Sequence, residues 1–277
     1  MNFEQLIYEE NAKVVKITLN RPTVLNALSM QLSDELVTAI ELIRQSKKLK
    51  FVIIKGAGDN FSVGDDISEM PRWGEANDIT RRVRYYQNMA NQLEELDKIT
   101  IAAVDGFAVG GGLEITMACD FVIATERAKW GMPEVDVGIT PGWGGTTRLA
   151  RLIGRRRAKE INLIGALHTA QRAVEWNLWN RVVPNGQLDT EVEKLLNVLR
   201  SKNQQGLRQL KFIINRGVEC DLYSAQGFEV LSGALTAAVS GMWEVKDSDQ
   251  GKGIIGFAKK DDLWQERRRL AKDFWTD

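Results

Sequence analysis

The sequence predicts an α/β fold followed by a helical C-terminal region. Three observations predict it. Short β-branched runs alternate with stretches of helical spacing through the first half of the chain, the pattern of parallel strands joined by right-handed crossovers. Phe51–Ile54 and Ile99–Val104 are continuous apolar runs, as expected of strands covered on both faces. From about Gly144 the strand signal nearly vanishes while helical periods continue. The expected division is a core over residues 1–200 and a helical region over 201–277.

Val14–Leu19 is short and β-branched, and Arg21-Pro22 breaks it. Over Ser29–Arg44 the residues Met30, Leu32, Leu36, Val37, Ile40 and Ile43 recur at helical spacing. Gly56-Ala57-Gly58-Asp59-Asn60 is a turn cluster. Thr80–Leu96 reads as a helix and Ile99–Val104 as the next strand. Gly106 and Gly110-Gly111-Gly112 follow, then a short helix to Cys119 and strands at Phe121–Ala124 and Lys129-Trp130. Thr190 with Glu193 forms a capping box opening a helix at Glu191–Arg200. Gln205–Arg216, Leu222–Met242 and Asp262–Phe274 complete the helical part.

Composition narrows the function. The chain has 277 residues, enough to bury a full core, and 44% of them are hydrophobic. Lys+Arg and Asp+Glu are both 37, a zero net charge that argues against a general nucleic-acid or membrane-surface binder. No apolar run approaches a membrane span, and the acidic N-terminus shows no secretory signal. Cys119 and Cys220 make no disulfide framework and fit a reducing, cytoplasmic setting. With His168 as the single histidine, a Cys/His zinc site within one chain is excluded and a Ser-His-Asp triad disfavoured. Acid–base chemistry falls to carboxylates.

Gly110-Gly111-Gly112 lies between a strand and a helix, where unpaired amides at the positive end of the dipole suit a negatively charged oxygen; a plain packing turn fits the local pattern equally well. Glu114 stands two residues past the last glycine and Glu134 follows Met132-Pro133. Their 20-residue separation excludes a shared helix face. They meet only if the intervening strand returns to the same sheet edge. Two carboxylates around one water can then divide the work of acid and base. Taken alone, the pair reads more simply as two surface glutamates.

Residues 101–149, IAAVDGFAVGGGLEITMACDFVIATERAKWGMPEVDVGITPGWGGTTRL, strongly resemble the core of the crotonase (enoyl-CoA hydratase/isomerase) superfamily. The likeness extends to Leu19–Pro22, Leu25–Leu28, Phe61–Ile67, Arg148–Ile164 and Asp249–Lys260, nearly the whole chain. It implies a spiral of ββα repeats with a helical C-terminal trimerisation region, assembled as a trimer or a hexamer of two trimers. It implies enoyl-CoA hydratase chemistry through a thioester enolate, with no metal or redox cofactor. The Asp65 and Gly111 amides match the oxyanion hole, Glu114 the base that activates water, and Glu134 the acid that protonates the α-carbon. Gly142 matches a backbone contact to the water; Trp143 and Met132 wall the acyl pocket. Val24, Leu25, Ala27, Gly64, Ile67, Phe257 and Lys260 match positions that meet CoA.

Other readings stay open. The superfamily includes isomerases and enzymes acting on cyclic, aromatic or carrier-bound acyl groups. Simple isomerases usually keep only the carboxylate matching Glu134, and dienoyl isomerases typically have an aspartate where Gly142 stands. Thr23 and Ser68 replace basic residues common in the family, which weakens the electrostatic case for CoA against a carrier-protein thioester. Trp73, Tyr85 and Tyr86 fall where the family varies with substrate. Asp65, Asp66 and Glu69 read better as acidic residues of a helix first turn than as a metal cluster, and the Asp65 carboxylate is expected to point away from the oxyanion. Arg155-Arg156-Arg157 with Lys159 reads as a solvated helix face rather than an RNA site. His168 reads as structural. Trp264, Phe274 and Trp275 read as an oligomer contact or as a helix packed on its own subunit.

Overall fold

The apolar runs form the centre of a six-stranded sheet in the order β1-β2-β3-β4-β6-β9. These strands are β1 (Leu6–Asn11), β2 (Val14–Leu19), β3 (Phe51–Gly56), β4 (Ile99–Val104), β6 (Phe121–Thr125) and β9 (Arg181–Val183). Only β1 runs antiparallel to its neighbour; the pairs from β2 to β9 are parallel. A second sheet, β5-β7-β8, joins β5 (Phe107–Val109), β7 (Lys129–Gly131) and β8 (His168–Thr169). The computed structural model describes residues 3–239 and 262–275. It falls into two units, Met1–Glu191 and Val192–Asp277.

The sheets alternate along the chain. β4 is followed by β5 and helix α3 (Gly111–Met117); β6 is followed by β7 and helices α4 (Thr147–Ile153) and α5 (Arg155–Ile164), and β8 by α6 (Ala170–Glu175). β3 is followed by Ser62, bridged in parallel to Ala108, and then by α2 (Ala76–Glu94). Ser62 thus stands where that repeat's second strand would be. The ββα spiral is legible in this recurrence.

Helix α1 (Met30–Gln45) shows why the amphipathic spacing works. Leu32, Leu36, Ile40 and Ile43 share one core cluster with Val15, Ile17, Val52 and Ile54 of the sheet. Its start is held twice: Ser29 Oγ accepts from the Leu32 amide at 3.0 Å, and Glu69 Oε2 accepts from the Met30 amide at 2.7 Å. This corrects the reading of the acidic segment. Asp66 and Glu69 lie in a turn ahead of a 3-10 helix (Met70–Trp73). Asp66 accepts from Ser68 and Arg21, while Glu69 caps a helix distant in sequence.

Three other expectations change. Strands persist beyond Gly144, because β8 and β9 are too short, at two and three residues, to show a period. β1 is a mostly exposed edge strand whose sequence, LIYEEN, lacks a buried run. Helix α7 (Leu188–Arg200) begins two residues before Thr190, so the expected capping box lies inside the first turn; Glu193 pairs instead with Arg200. His168 packs against the rings of both Trp130 and Trp176, at 5.2 and 5.6 Å. Arg155–Arg157 are exposed on α5, with Arg157 over the Trp176 ring at 4.8 Å.

The second unit contains α8 (Gln204–Gly217), α9 (Leu222–Val239) and α10 (Asp262–Trp275). Phe274 is buried and Trp275 exposed. Leu210, Phe212, Ile214, Val218, Tyr223 and Leu231 are exposed apolar residues on or beside α8 and α9.

The loop Pro22–Leu28 depends on buried Asn26. Its Nδ2 donates to the Ala57 and Asn60 carbonyls at 2.9 and 2.7 Å, and its Oδ1 accepts from the Arg21 amide at 2.9 Å. These bonds hold Leu25 and Asn26 at φ 55 and 56°, a left-handed conformation uncommon for leucine. Asn26→Ala strands these buried groups and is expected to lower unfolding free energy by about 2–4 kcal/mol. Urea denaturation checks it; an unchanged midpoint contradicts it.

Candidate active site

Parallel pairing of β5 with β7 brings the two glutamates together. Val109 pairs with Gly131, and the Gly110 amide donates to the Gly131 carbonyl at 3.0 Å. The residues following both strands therefore leave the same end of the small sheet. One path enters α3, where Glu114 is fully buried; the other gives Met132-Pro133 and the 3-10 turn Glu134–Val137. A Cβ on Gly110 would sit 3.1 Å from Glu134 Oε1, so the glycine leaves room for that carboxyl.

Glu114 is tightly held. Its Oε1 accepts from the Trp143 amide at 2.7 Å and the Gly145 amide at 2.6 Å. A Cβ on Gly145 would lie 2.9 Å from this oxygen and 2.2 Å from Met132 Cε, so only glycine fits. The loop is anchored by Arg148, which donates to the Trp143 carbonyl at 2.8 Å and pairs with Glu94 of α2 at 2.7 Å. The buried Trp143 ring lies 4.9 Å from that of Tyr86. Gly142 faces Val83, 3.2 Å from the position of a Cβ. Gly145 and Arg148 escaped the sequence reading; the doubled glycine after Trp143 was their available signal.

The Asp65 backbone is oriented by a bridge. Leu28 donates its amide to the Gly64 carbonyl at 2.8 Å, and Asp66 donates to the Leu28 carbonyl at 3.1 Å. In this pattern Asp65's own N–H points away from Leu28. It faces Gly111: a Cβ there would be 3.6 Å from the Asp65 nitrogen. The Gly111 amide, in the first turn of α3, has no intrahelical acceptor. Gly64, at φ +89°, allows the approach, since a Cβ on it would meet the Gly111 nitrogen at 3.0 Å.

The expected outward orientation of the Asp65 carboxylate is overturned. Oδ1 is shut off from solvent, has no hydrogen-bond partner among the described residues, and lies 3.7 Å from the Cβ position of Gly111. Burial, with the Glu134 charge adding, pushes this carboxyl up to about 7. The objection to a charge there is met because the group is readily neutral. Burial likewise pushes Glu114 up to about 8; the charges of Asp65 and Glu134 add to the rise, and the Gly145 and Trp143 amides oppose it. Burial raises Glu134 as well, and its Oε2 has no partner among the described residues.

The candidate CoA positions separate. Val24, Leu25 and Ile67 are exposed apolar residues, Ala27 is buried, and Gly64 belongs to the bridge. The Val63 amide donates to the Leu25 carbonyl at 3.2 Å, which ties the two loops together. Phe257 and Lys260 lie outside the described residues. Trp73 is half-buried and Tyr85 exposed. Among the described residues no group of His, Cys, Asp or Glu is arranged to hold a metal ion.

A family model described as enoyl-CoA hydratase/isomerase matches residues 9–267. The chain belongs to the enoyl-CoA hydratase/isomerase family. It is 40% identical over 232 residues to a short-chain-enoyl-CoA hydratase of Clostridium acetobutylicum, covering 83% of this chain and 88% of that one. It is 35% identical over 261 residues to a crotonyl-CoA hydratase of Syntrophomonas wolfei, covering 94% and 97%. An enoyl-CoA hydratase structure from Bacillus anthracis superposes with a TM-score of 0.82 at 33% identity, covering 93% of this chain and 97% of that one. These likenesses share the crotonase fold, an α/β spiral with a helical C-terminal part.

Burial of Glu114 has a stability consequence. Its carboxyl is raised from 4.5 to about 8 in the folded state. The folded state therefore binds a proton the unfolded chain has released, and stability is lost as pH rises from about 4.5 towards 8. Glu114→Gln keeps an acceptor for both amides without an ionisable group. It is expected to be more stable than wild type at pH 8 by on the order of a few kcal/mol, with the gap closing towards pH 4.5. Thermal melts at the two pH values check this; a gap that widens on acidification contradicts it.

Proposed function

We propose that this protein is an enoyl-CoA hydratase, a hydro-lyase that adds water across the 2,3 double bond of a short enoyl thioester. The observation that carries this reading is that the Glu134 carboxyl lies beside Gly110 and acts electrostatically on the buried Glu114, while the Asp65 amide lies beside Gly111. The neighbouring amides of Gly111 and Asp65 suit a thioester oxygen that gains negative charge as the enolate forms.

The steps balance with the groups present. Glu114, as carboxylate, takes a proton from water while the water oxygen bonds to the β-carbon. The π electrons move onto the thioester oxygen, held by the Gly111 and Asp65 amides. The enolate collapses as Glu134, as acid, delivers a proton to the α-carbon. Proton exchange from Glu114 to Glu134 through solvent resets the pair. The reading assigns no cofactor beyond the CoA of the substrate.

The assignment of base and acid rests on hydrogen bonding. Glu114 Oε1 accepts two backbone N–H groups, which favour its charged form; Glu134 has only the bond to its own backbone N–H, and its Oε2 has no partner among the described residues. Trp143 and Met132, both buried beside the Glu114 loop, wall the acyl pocket. Gly142 remains assigned to the water contact. Val24, Leu25, Ala27, Gly64 and Ile67 receive CoA. The exposed apolar residues of α8 and α9 support assembly as a trimer or hexamer. The small cysteine content, Cys119 and Cys220 alone, suits a reducing cytoplasm. Among the described residues no helix is long and apolar enough to cross a membrane.

Ultraviolet absorbance of the conjugated enoyl thioester in crotonyl-CoA tests the reading. Wild type is expected to bleach it and release the 3-hydroxyacyl product. Glu114→Gln and Glu134→Gln should each lower kcat by about 10²–10⁴-fold. A shifted double bond in place of a hydroxyl would make the enzyme an isomerase; full activity in both variants would end the two-glutamate mechanism.

A further inference from the structure

Asp65 Oδ1, shut off from solvent and without a hydrogen-bond partner among the described residues, has no part in the hydration scheme, which uses only that residue's amide. A buried polar atom without a partner is costly and calls for an explanation. Oδ1 and the Asp65 nitrogen lie 3.7 and 3.6 Å from the same point, the position of a Cβ on Gly111. The side chain and the amide therefore both lie beside Gly111, whose own amide the proposed reaction uses. An ionised carboxylate there would repel the enolate, whereas a neutral acid can donate to it.

We propose that Asp65 acts through its side chain as a neutral acid, donating its O–H as a third hydrogen bond to the thioester oxygen beside the Gly111 and Asp65 amides. This rests on the hydratase reading. It makes Asp65 a catalytic residue, because the donated proton touches the reacting oxygen. No proton is transferred: the O–H bond stays intact while the enolate forms and collapses.

The charged and titratable groups around Asp65 agree with a neutral state. Glu134 faces it from the turn after β7, and Glu114 from α3. Tyr86 faces it from α2 and accepts from Arg82 at 3.2 Å. Beyond Tyr86, Asp34 of α1 contributes a further acidic group. On the adjoining loop Arg21 is paired with Asp66 at 2.9 Å, and so is committed to the neighbouring carboxylate. Asp65, Glu114 and Glu134 each feel the others' charge, so the three carboxyls form one coupled cluster. Such groups titrate as a unit, so activity peaks after the first proton leaves and falls when the second does.

The test compares wild type, Asp65→Asn and Asp65→Ala with crotonyl-CoA across pH 5–10, with Glu114→Gln and Glu134→Gln as controls. Asp65→Asn keeps a neutral donor and cannot ionise. It is expected to lose less kcat at pH 7 than Asp65→Ala does, with the alkaline limb of its kcat/KM profile moved to higher pH. Asp65→Ala should lose about 10²–10³-fold in kcat with little change in KM, the range expected for a missing oxyanion donor. If the glutamate controls are inactive while Asp65→Ala keeps wild-type kcat, or Asp65→Asn keeps the wild-type alkaline limb, the Asp65 role is overturned and the hydratase reading stands. If the glutamate controls retain full activity, the hydratase reading falls, and this inference with it.

Discussion

Carboxyl groups withdrawn from water govern this site. Glu114 lies entirely inside the protein, and Asp65 Oδ1 and Glu134 Oε2 are cut off from solvent. Charges so placed repel one another strongly and lose their hydration. The surroundings then decide where negative charge is tolerated. Only Glu114 is given two backbone N–H donors, and the segment supplying them is shaped for that purpose: glycine at 145, the Trp143 ring against Tyr86, and Arg148 fastening the loop to α2. The protein gives up stability near neutral pH to keep these carboxyls buried, and the proposed catalysis draws on that loss.

The same constraint accounts for the tight backbone around the site. The strand-like segment at 62–65 is held on both sides, by Ala108 of the small sheet through Ser62 and by Leu28 through Asp65. Gly112 packs so closely on Ser62 that a Cβ would fall 2.5 Å from its carbonyl oxygen. This places the Asp65 amide against the first turn of α3. Asn26, remote from the reacting carbons in the scheme, matters because its side chain ties the preceding loop to Ala57 and Asn60. Fold and site share these contacts.

Much of this was legible in the sequence. Continuous apolar runs marked β3 and β4, a 3.6-residue period marked α1, and three consecutive glycines with Glu114 and Glu134 marked the site, sharpened by the family resemblance. Other features depend on tertiary contacts that carry no local period. β9 is three residues long and exists because β6 offers it an edge. Glu69 looks like a first-turn acid, yet it caps a helix that begins 39 residues earlier. The Asp65 side chain was expected to avoid the site on a charge argument that assumed ionisation; burial removes that assumption. Gly145 is one glycine among 24, and its need for hydrogen in place of a side chain appears only once Met132 and Glu114 are in position.

The central claim is that the thioester oxygen sits between the Gly111 and Asp65 amides with the double bond spanning Glu114 and Glu134. A crystal structure of Glu114→Gln with bound crotonyl-CoA tests it most directly. The account predicts the thioester oxygen within about 3.2 Å of both amide nitrogens, the β-carbon facing residue 114 and the α-carbon facing Glu134. An acyl group bound with its carbonyl turned away from these amides, or with its double bond out of reach of Glu134, would contradict it.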